Sequence, residues 1–453
     1  MQAYDQALTL ALEHTRPARN PRIGAPLEPG ELYQLFSGSG EFNRIAQARF
    51  AWDMYTGDQL RYLPRLPAES ATEFLRRPHK QFLNLTRAVI DILSQLYRRP
   101  VTRLIETDPA DDTLRERIQR AYDRNPTQRL LNGIDKLARL QGVAAIRIGY
   151  DAGEIRLWPW PAHRLCVIPD PMRPETPACV VALPAGDGNV AHVWDAQRVS
   201  VVREGRLAQE SEHGYGRIPF AFVHDRLPVD GFWVEGRGRS LCHGNAEINA
   251  KLSGLAHTVA MQGFGVMEIV NPDPAQDIAI GPARAIRFTV SGHEPFGVNF
   301  KAPNAPIAEL IAHIEFSIRN LLKSQRVPES VLSVHSAGDV SGVSILAQQT
   351  PVLEDRIERQ QAFRVFEQDL VDAMLAVLRV HENVQGSARI RLDFPEPQLE
   401  QSATERMAID DWRLKHGMTT PWQLMQRDDP DRYTDEAAAK AQWQQNTQSR
   451  PTA

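Results

Sequence analysis

Three histidines in one strand-rich stretch, His163, His192 and His213, are the side chains here best suited to general base chemistry, because imidazole titrates near neutral pH. To act, one of them must meet a second polar group inside a concave pocket. The 13 histidines come with no HExxH and no HxE…PCxxC pattern, so neither a zincin helix nor a zinc deaminase site is expected. Gly338, Asp339, Ser341 and Gly342 place a serine among glycines beside His335. The order is not G-x-S-x-G, and a triad is defined by arrangement in space. Gly214 with Gly216, and Gly236 with Gly238, lack the third glycine and the helix of a dinucleotide loop, and no GxxxxGK[ST] cradles a triphosphate. Asp111 with Asp112 and Asp428 with Asp429 sit in polar contexts and read as helix-start or loop charges. Cys166, Cys179 and Cys242 are odd in number and far apart, which builds neither a disulfide framework nor a four-ligand zinc site; they read as small apolar fillers in a reducing compartment. The chain is expected not to be an enzyme and to need no cofactor or metal.

The elements that position these residues change in texture along the chain. Residues 1–50 read as a short helix, a Pro/Gly-rich loop from Pro17 to Gly40, and a second helix. Between Pro78 and Arg99 the positions Phe82, Leu85, Val89, Ile92, Leu93 and Leu96 recur at helical spacing, and Pro100 ends the run. Two helical patterns over 113–141 are split near Asn125 and Pro126. A β-meander is expected from about 143 to 224, opening on a hairpin turned at Ala152 and Gly153. From Arg239 the pattern is helical again, with Ile248, Leu252, Leu255 and Val259 on one face, until Gly263. Short strand-like pieces occupy 264–304. Ile307, Leu310, Ile311, Ile314, Ile318, Leu321 and Leu322 then follow the i, i+3, i+4 rule between Pro306 and Pro328. A loop of small residues covers 333–344 and leads into a long helix ending near Val380. Pro351 predicts a kink in it, since proline removes a backbone hydrogen bond and crowds the preceding turn. A strand over 388–394 and an acidic helical tail complete the chain, which has no internal repeat.

Composition places the 453 residues among ordinary globular chains, 42% hydrophobic and 24% charged, enough for two or three domains or one elongated subunit. Fifty-two basic against 56 acidic residues, a net charge of −4, do not describe a protein that grips nucleic acid over its whole surface. Asp5 and Glu13 at the start do not suit a secretory signal, and no stretch approaches the roughly 20 apolar residues of a membrane span. A soluble, intracellular product without membrane contact is expected.

Several phrases, in order, resemble the portal family of tailed bacteriophages, in particular portals of long-tailed phages of Gram-positive hosts. Tyr55, Gly57 and Asp58, then Asn84 and Val89, then Arg99, Pro100 and Val101 are similar to the family's "YxGD … N … V … kPV" run. His213, Gly214, Tyr215, Gly216, Arg217, Ile218, Pro219 and Phe220 resemble the phrase that precedes the family's first stem helix. Glu247, Ile248 and Asn249 with Ser253 resemble that helix. Gly417, Met418, Thr419, Thr420, Pro421 and Trp422 look like the "G-x-[ST]" helix start of the crown. The identification is carried by their order and spacing over about 400 residues.

The resemblance implies an α+β, predominantly helical, elongated subunit of a ring with a central channel. Residues 1–239 would be the wing, 240–262 and 306–327 the stem helices, 263–305 the clip, 328–343 the tunnel loop, 344–395 the long kinked wing helix and strand, and 396–453 a reduced crown. About twelve copies would close head to tail into a homo-oligomeric ring. Double-stranded DNA would pass through it during packaging and ejection. The terminase large subunit, the head–tail adaptor, and the major capsid and scaffolding proteins would be its other partners. The ring would sit at one capsid vertex of the virion, after assembly in the host cytoplasm. Each stem helix, at 1.5 Å per residue, spans roughly 30 Å. A channel that neutralised many phosphates would hold DNA too tightly to let it slide, so few cations are expected on it: Lys251, Arg319, Lys323 and Arg326. These four serve equally as solvated or salt-bridged surface groups. Val334, His335, Ser336, Ala337, Gly338, Asp339, Val340, Ser341 and Gly342 would form the tunnel loop, and Asp273, Gln276, Asp277 and Arg284 the clip surface for motor and adaptor. An acidic run between 400 and 436 would face packaged DNA.

Two other readings stand beside this one. One is a soluble hydrolase or transferase with its site in the 143–224 region, using His163, His192 or His213. The other is a helical scaffold protein through which no DNA passes.

Overall fold

The computed structural model describes residues 41–65, 70–76, 80–185, 190–203, 206–229, 231–264, 266–270, 297–301, 306–328, 342–395, 403–429, 432–433 and 435–448. The protein is α+β with helix predominating. It divides into two compact units, Met1–Val334 with Pro351–Pro395, and His335–Thr350 with Glu396–Ala453.

In the first unit the region at 143–224 forms two sheets rather than one meander. Strands β2 (Val143–Asp151) and β3 (Glu154–Pro161) make the expected hairpin, whose turn residues Ala152 and Gly153 have φ of 50° and 80°. Strand β9 (Phe220–His224) returns to the other edge of β2, giving the order β3-β2-β9. The strands between, β4 (Leu165–Asp170), β5 (Arg173–Ala182), β6 (Val190–Trp194), β7 (Arg198–Arg203) and β8 (Arg206–Glu212), form the five-stranded antiparallel meander. Alternation along β2 joins two cores. Val143 and Ala145 pack with Leu165, Val167, Val180 and Ala182 of the larger sheet. Ala144, Ile146 and Ile148 face a helical core built by α4 (Asp112–Arg124), α5 (Thr127–Gln141) and the long helix α8 (Gly342–Glu382). Asp111 caps α4, its Oδ1 accepting from the backbone N–H groups of Thr113 and Leu114 at 2.9 and 3.1 Å.

A ribbon closes the helical core. Strand β12 (Ser387–Asp393) is expected from the sequence, but its antiparallel partner β1 (Thr102–Asp108) is not, and Ile105 faces Ile390 across the pair. Its alternation is hidden because Arg103, partly buried, ion-pairs with the fully buried Glu367.

The helix expected over 78–99 is shorter. Helix α1 (Glu41–Thr56) and a short α2 (Ala71–Arg76) precede α3, which covers only Leu85–Leu93. Asn84 ends it at the front by accepting from the N–H of Arg87 at 2.9 Å. Leu96 and Tyr97 enter the core from a turn, while Phe82 is 42% exposed; a helical spacing of apolar residues thus arose without a helix.

After β9 the chain enters α6 (Gly238–Phe264), β10 (Val266–Val270), β11 (Gly297–Lys301) and α7 (Ile307–Ser324), with β10 and β11 antiparallel. Three glycines permit the crossing into α6. A Cβ on Gly142 would lie 1.9 Å from the Val234 carbonyl oxygen, one on Gly236 2.3 Å from the Gly142 nitrogen, and one on Gly238 2.0 Å from the Leu140 oxygen. The second unit contains α9 (Ala403–Lys415), α10 (Pro421–Asp428) and α11 (Glu436–Gln448). Gly417 at φ +67° ends α9, and the Thr420 N–H donates to Gln423 Oε1 at the start of α10.

Candidate functional site

The amphipathic stripe of α7 and the apolar face of α6 meet as an antiparallel pair. Ile248 and Ile314 are buried together with Leu85 of α3, flanked by Leu252, Leu255, Ile318 and Leu321. Gly244 keeps the helices close, since a Cβ there would stand 2.6 Å from Leu321 Cδ1. One turn of side chains further on, Lys251 Nζ donates to Ser317 Oγ at 3.0 Å. The C-terminal end of α7 is rooted: Leu322 and Val327 share a core with α1, α3, Leu241 and Cys242. Its N-terminal half is not. Residues 308–313 are exposed, Leu310 and Ile311 among them, and Phe316 beyond them is 58% exposed. The stripe is therefore wider than its partner helix covers.

Polar side chains fix the base of α6. Asn245 and Asn249, one turn apart and buried, face residues 83–86. Asn245 Oδ1 accepts from the backbone and hydroxyl of Thr86 at 3.0 and 2.9 Å, and its Nδ2 donates to the Leu83 carbonyl at 2.7 Å. Asn249 Oδ1 accepts from the Leu83 N–H at 2.8 Å, and its Nδ2 donates to Gln59 Oε1 at 2.6 Å. These bonds explain why asparagines stand inside an otherwise apolar face, since a buried amide needs its full set of partners.

A buried cluster of three arginines and three aspartates joins this base to α8. Arg359 of α8 donates from Nε to Asp135 Oδ1 at 2.7 Å, from Nη1 to Asp225 Oδ1 at 2.9 Å and from Nη2 to the Asp135 carbonyl at 3.0 Å. Arg139 pairs with Asp355 at 2.5 Å, and Arg237, just before α6, pairs with the same carboxylate. Burial opposes the charge on Arg139, yet Asp135, Asp355 and Asp225 hold its guanidinium above the ordinary arginine value. Burial raises the Asp225 carboxyl above the usual range despite Arg359 and Arg139. The six formal charges cancel, which makes the cluster a rigid joint between α5, the exit of β9, the approach to α6, and α8. Sequence reasoning missed it, because arginines and aspartates on helices resemble solvated faces.

Of the four expected channel cations, Lys251 is half-buried and committed to Ser317, and Arg319 is exposed and pairs with Glu315 of its own helix at 3.4 Å. Lys323 is exposed in the last turn of α7, and Arg326 is exposed at φ 58° just after it. Pro351 lies inside α8. Gly342 is the first residue of that helix and not part of a loop; an α-helix tolerates glycine in its first turn, where backbone donors need no intrahelical acceptor. Residues 334–341, and with them the remaining tunnel-loop residues, lie outside the described residues, as do Asp273, Gln276, Asp277 and Arg284.

The three histidines of the 143–224 region have separate partners. His163 is buried, its Nδ1 2.8 Å from Gln141 Nε2, and burial, with Arg49, Arg164 and Arg44 nearby, lowers its pKa to about 3. His192 is also lowered, first by burial and then by Arg147. His213 Nε2 lies 3.1 Å from the Asp195 carbonyl, its Nδ1 accepts from the Tyr215 backbone N–H, and its ring packs against Trp194 and Tyr215; burial lowers its pKa and Asp195 opposes this. Burial pushes the thiols of Cys166, Cys179 and Cys242 up to about 12, so all three are unreactive fillers. Among the described residues no group of three metal-ligating side chains occurs, and no helix is long and apolar enough to cross a membrane.

No family model matches the chain, and no curated protein matches it. Solved structures with a similar chain include the virion of a native gene transfer agent particle, at TM-score 0.40 and 11% identity over 78% of this chain and 91% of that one. The neck of an empty gene transfer agent particle, computed with C6 symmetry, gives TM-score 0.41 and 12% identity over 78% and 91%. The crystal structure of an HK97 family phage portal protein from Corynebacterium diphtheriae gives 0.32 and 11% over 72% and 94%.

Proposed function

We propose that the chain is the portal subunit of a tailed phage or phage-like particle, non-enzymatic, closing into a ring of about twelve copies through which double-stranded DNA is packaged and ejected. The observation that carries this reading is the α6–α7 pair. It is anchored at one end by buried asparagines and core leucines, and it leaves Leu310, Ile311 and Phe316 in water. An apolar stripe wider than one partner covers calls for a second partner. A neighbouring copy supplies it in a closed ring. The ordered phrases from Tyr55 to Trp422 support the same reading, including its affinity to portals of long-tailed phages of Gram-positive hosts.

In this reading α6 and α7 form the stem, the strands β10 and β11 belong to the clip, residues 334–341 form the tunnel loop, and α8 would cross the wing with a kink at Pro351. Residues from Glu396 onward form the crown. Lys251, Arg319, Lys323 and Arg326 are the few cations the stem would present to the sliding duplex, and Lys251 and Arg319 are engaged within the chain by Ser317 and Glu315. That sparse charge suits transport, because every phosphate neutralised adds to the salt-dependent grip on DNA. Asp273, Gln276, Asp277 and Arg284 would meet the terminase large subunit and later the head–tail adaptor, and the outer wing the capsid and scaffolding proteins. The virion vertex is the location, reached from the host cytoplasm.

The particle mass of the purified chain tests this. A species near twelve times 51.0 kDa is expected; a stable monomer or dimer at micromolar concentration contradicts it.

A further inference from the structure

Arg147 lies on β2, on the face turned toward the five-stranded sheet, two residues beyond Ala145. Its cross-strand neighbours are Trp158 on β3 and Phe220 on β9. The guanidinium sits 4.2 Å from the Trp158 ring centre and 5.5 Å from that of Trp194 on β6. Gly149 makes this possible, since a Cβ there would come within 2.6 Å of the Trp158 ring and push the indole away. Four arginines elsewhere in the core have carboxylates: Arg103 has Glu367, Arg139 and Arg237 have Asp355, and Arg359 has Asp135 and Asp225. Arg147 has none among the described residues. Burial lowers its pKa, and the Tyr215 phenol opposes this. Its Nε and the indole Nε1 of Trp194, which is 8% exposed, are both buried donors without an acceptor. His192, two positions before Trp194 on the same face of β6, brings no negative charge either.

A half-buried cation within 5.5 Å of two indole rings, with donors in excess and no anion among the described residues, is arranged to receive one. We propose that Arg147, Trp158 and Trp194, with His192 and Tyr215 at the margin, form a receptor for a carboxylate, either on an acidic side chain of a neighbouring copy or on a small free acid. A planar two-oxygen anion fits one edge of a guanidinium by paired N–H···O bonds. A phosphate site would recruit more than one cation, and here the neighbouring imidazole is held neutral. The inference is independent of the portal reading, because it concerns the two sheets of the 143–224 region and holds for a single chain or a ring.

The test follows tryptophan emission and thermal unfolding of the full chain in sodium acetate, sodium phosphate and sodium chloride at equal ionic strength. A saturable acetate response that Arg147→Met abolishes, and that Arg147→Lys weakens by roughly tenfold because lysine lacks the planar fork, supports a free carboxylate. No acetate response, together with a side-chain-resolved map of the assembled protein showing a neighbour's Asp or Glu on the guanidinium, supports the neighbouring copy. In the unassembled chain without added acid, the Tm of Arg147→Met should equal or exceed the wild-type value, because the substitution removes an uncompensated buried charge. A clear fall in Tm shows a purely structural residue and overturns the proposal. So does an acetate response that survives in Arg147→Met, a stronger response to phosphate than to acetate, or an assembled map with the guanidinium against water alone and no acetate response.

Discussion

Replacing Arg359 by methionine isolates the joint between α8 and the base of α6. The substitution keeps most of the side-chain volume and removes three charge-assisted hydrogen bonds, to Asp135 Oδ1, Asp225 Oδ1 and the Asp135 carbonyl. Two buried carboxylates then keep only Arg139 and Arg237 nearby. Removing one partner of a buried pair costs about 3–5 kcal/mol, because the remaining charge stays desolvated and uncompensated. The pH dependence has a defined sign. Asp225 already holds its proton to higher pH in the folded state than an unfolded aspartate does, first through burial, and Arg359 is the leading charge that opposes this. Without Arg359 the folded pKa rises further. The folded variant then binds more protons than the unfolded chain in the window between the two pKa values, so stability falls as pH rises through that window. Chemical denaturation of both proteins at pH 4.5 and pH 8 should show a deficit of about 3–5 kcal/mol at pH 8 and a smaller one at pH 4.5. A deficit under about 1 kcal/mol at pH 8, or an equal deficit at both values, refutes the view that the cluster is a buried, mutually compensating joint.

Four further outcomes are expected. Tyr97→Phe removes a hydroxyl that donates to the buried Glu367 Oε1 at 2.7 Å and should cost about 1.5–3 kcal/mol in denaturant titration. Gly238→Ala should prevent folding or lower Tm sharply, because its Cβ would meet backbone atoms, whereas Gly133→Ala, in open space on α5, should stabilise by about 0.5–1 kcal/mol. His163, with its folded pKa lowered to about 3, stays neutral while the unfolded residue protonates near pH 6.5. Stability from this source is therefore lost as pH falls below about 6.5, and His163→Gln should soften the acid decline between pH 7 and pH 5 in paired melts. Deleting 334–341 should leave particle mass unchanged and abolish DNA retention in a packaging assay; normal retention would remove the tunnel-loop role.

The helix pair was legible because its apolar residues are local and periodic: Ile314, Leu321 and Leu322 read directly as a stripe. The hairpin at Ala152 and Gly153 and the cap at Asp111 were legible for the same reason, since turn and cap chemistry lies within four residues. What failed was non-local. Strand β9 joins β2 across some seventy residues, and β1 joins β12 across nearly three hundred, so neither pairing leaves a short-range trace. The buried roles of Asn245, Asn249, Arg139 and Arg359 were hidden because a polar letter signals exposure until its partner is known. Gly236 and Gly238 looked like a failed nucleotide motif. Their reason is backbone contact between two segments about ninety residues apart.

The central claim is that α6 and α7 line a shared opening and that Leu310, Ile311 and Phe316 are covered by a neighbouring copy. Electron cryomicroscopy of the purified assembly, viewed along its symmetry axis, tests it most directly. The account predicts a closed ring with the helix pair around the hole and those three side chains buried between subunits. Particles without an axial opening, or a ring whose hole is walled by other elements while Leu310 and Phe316 stay in solvent, would contradict it.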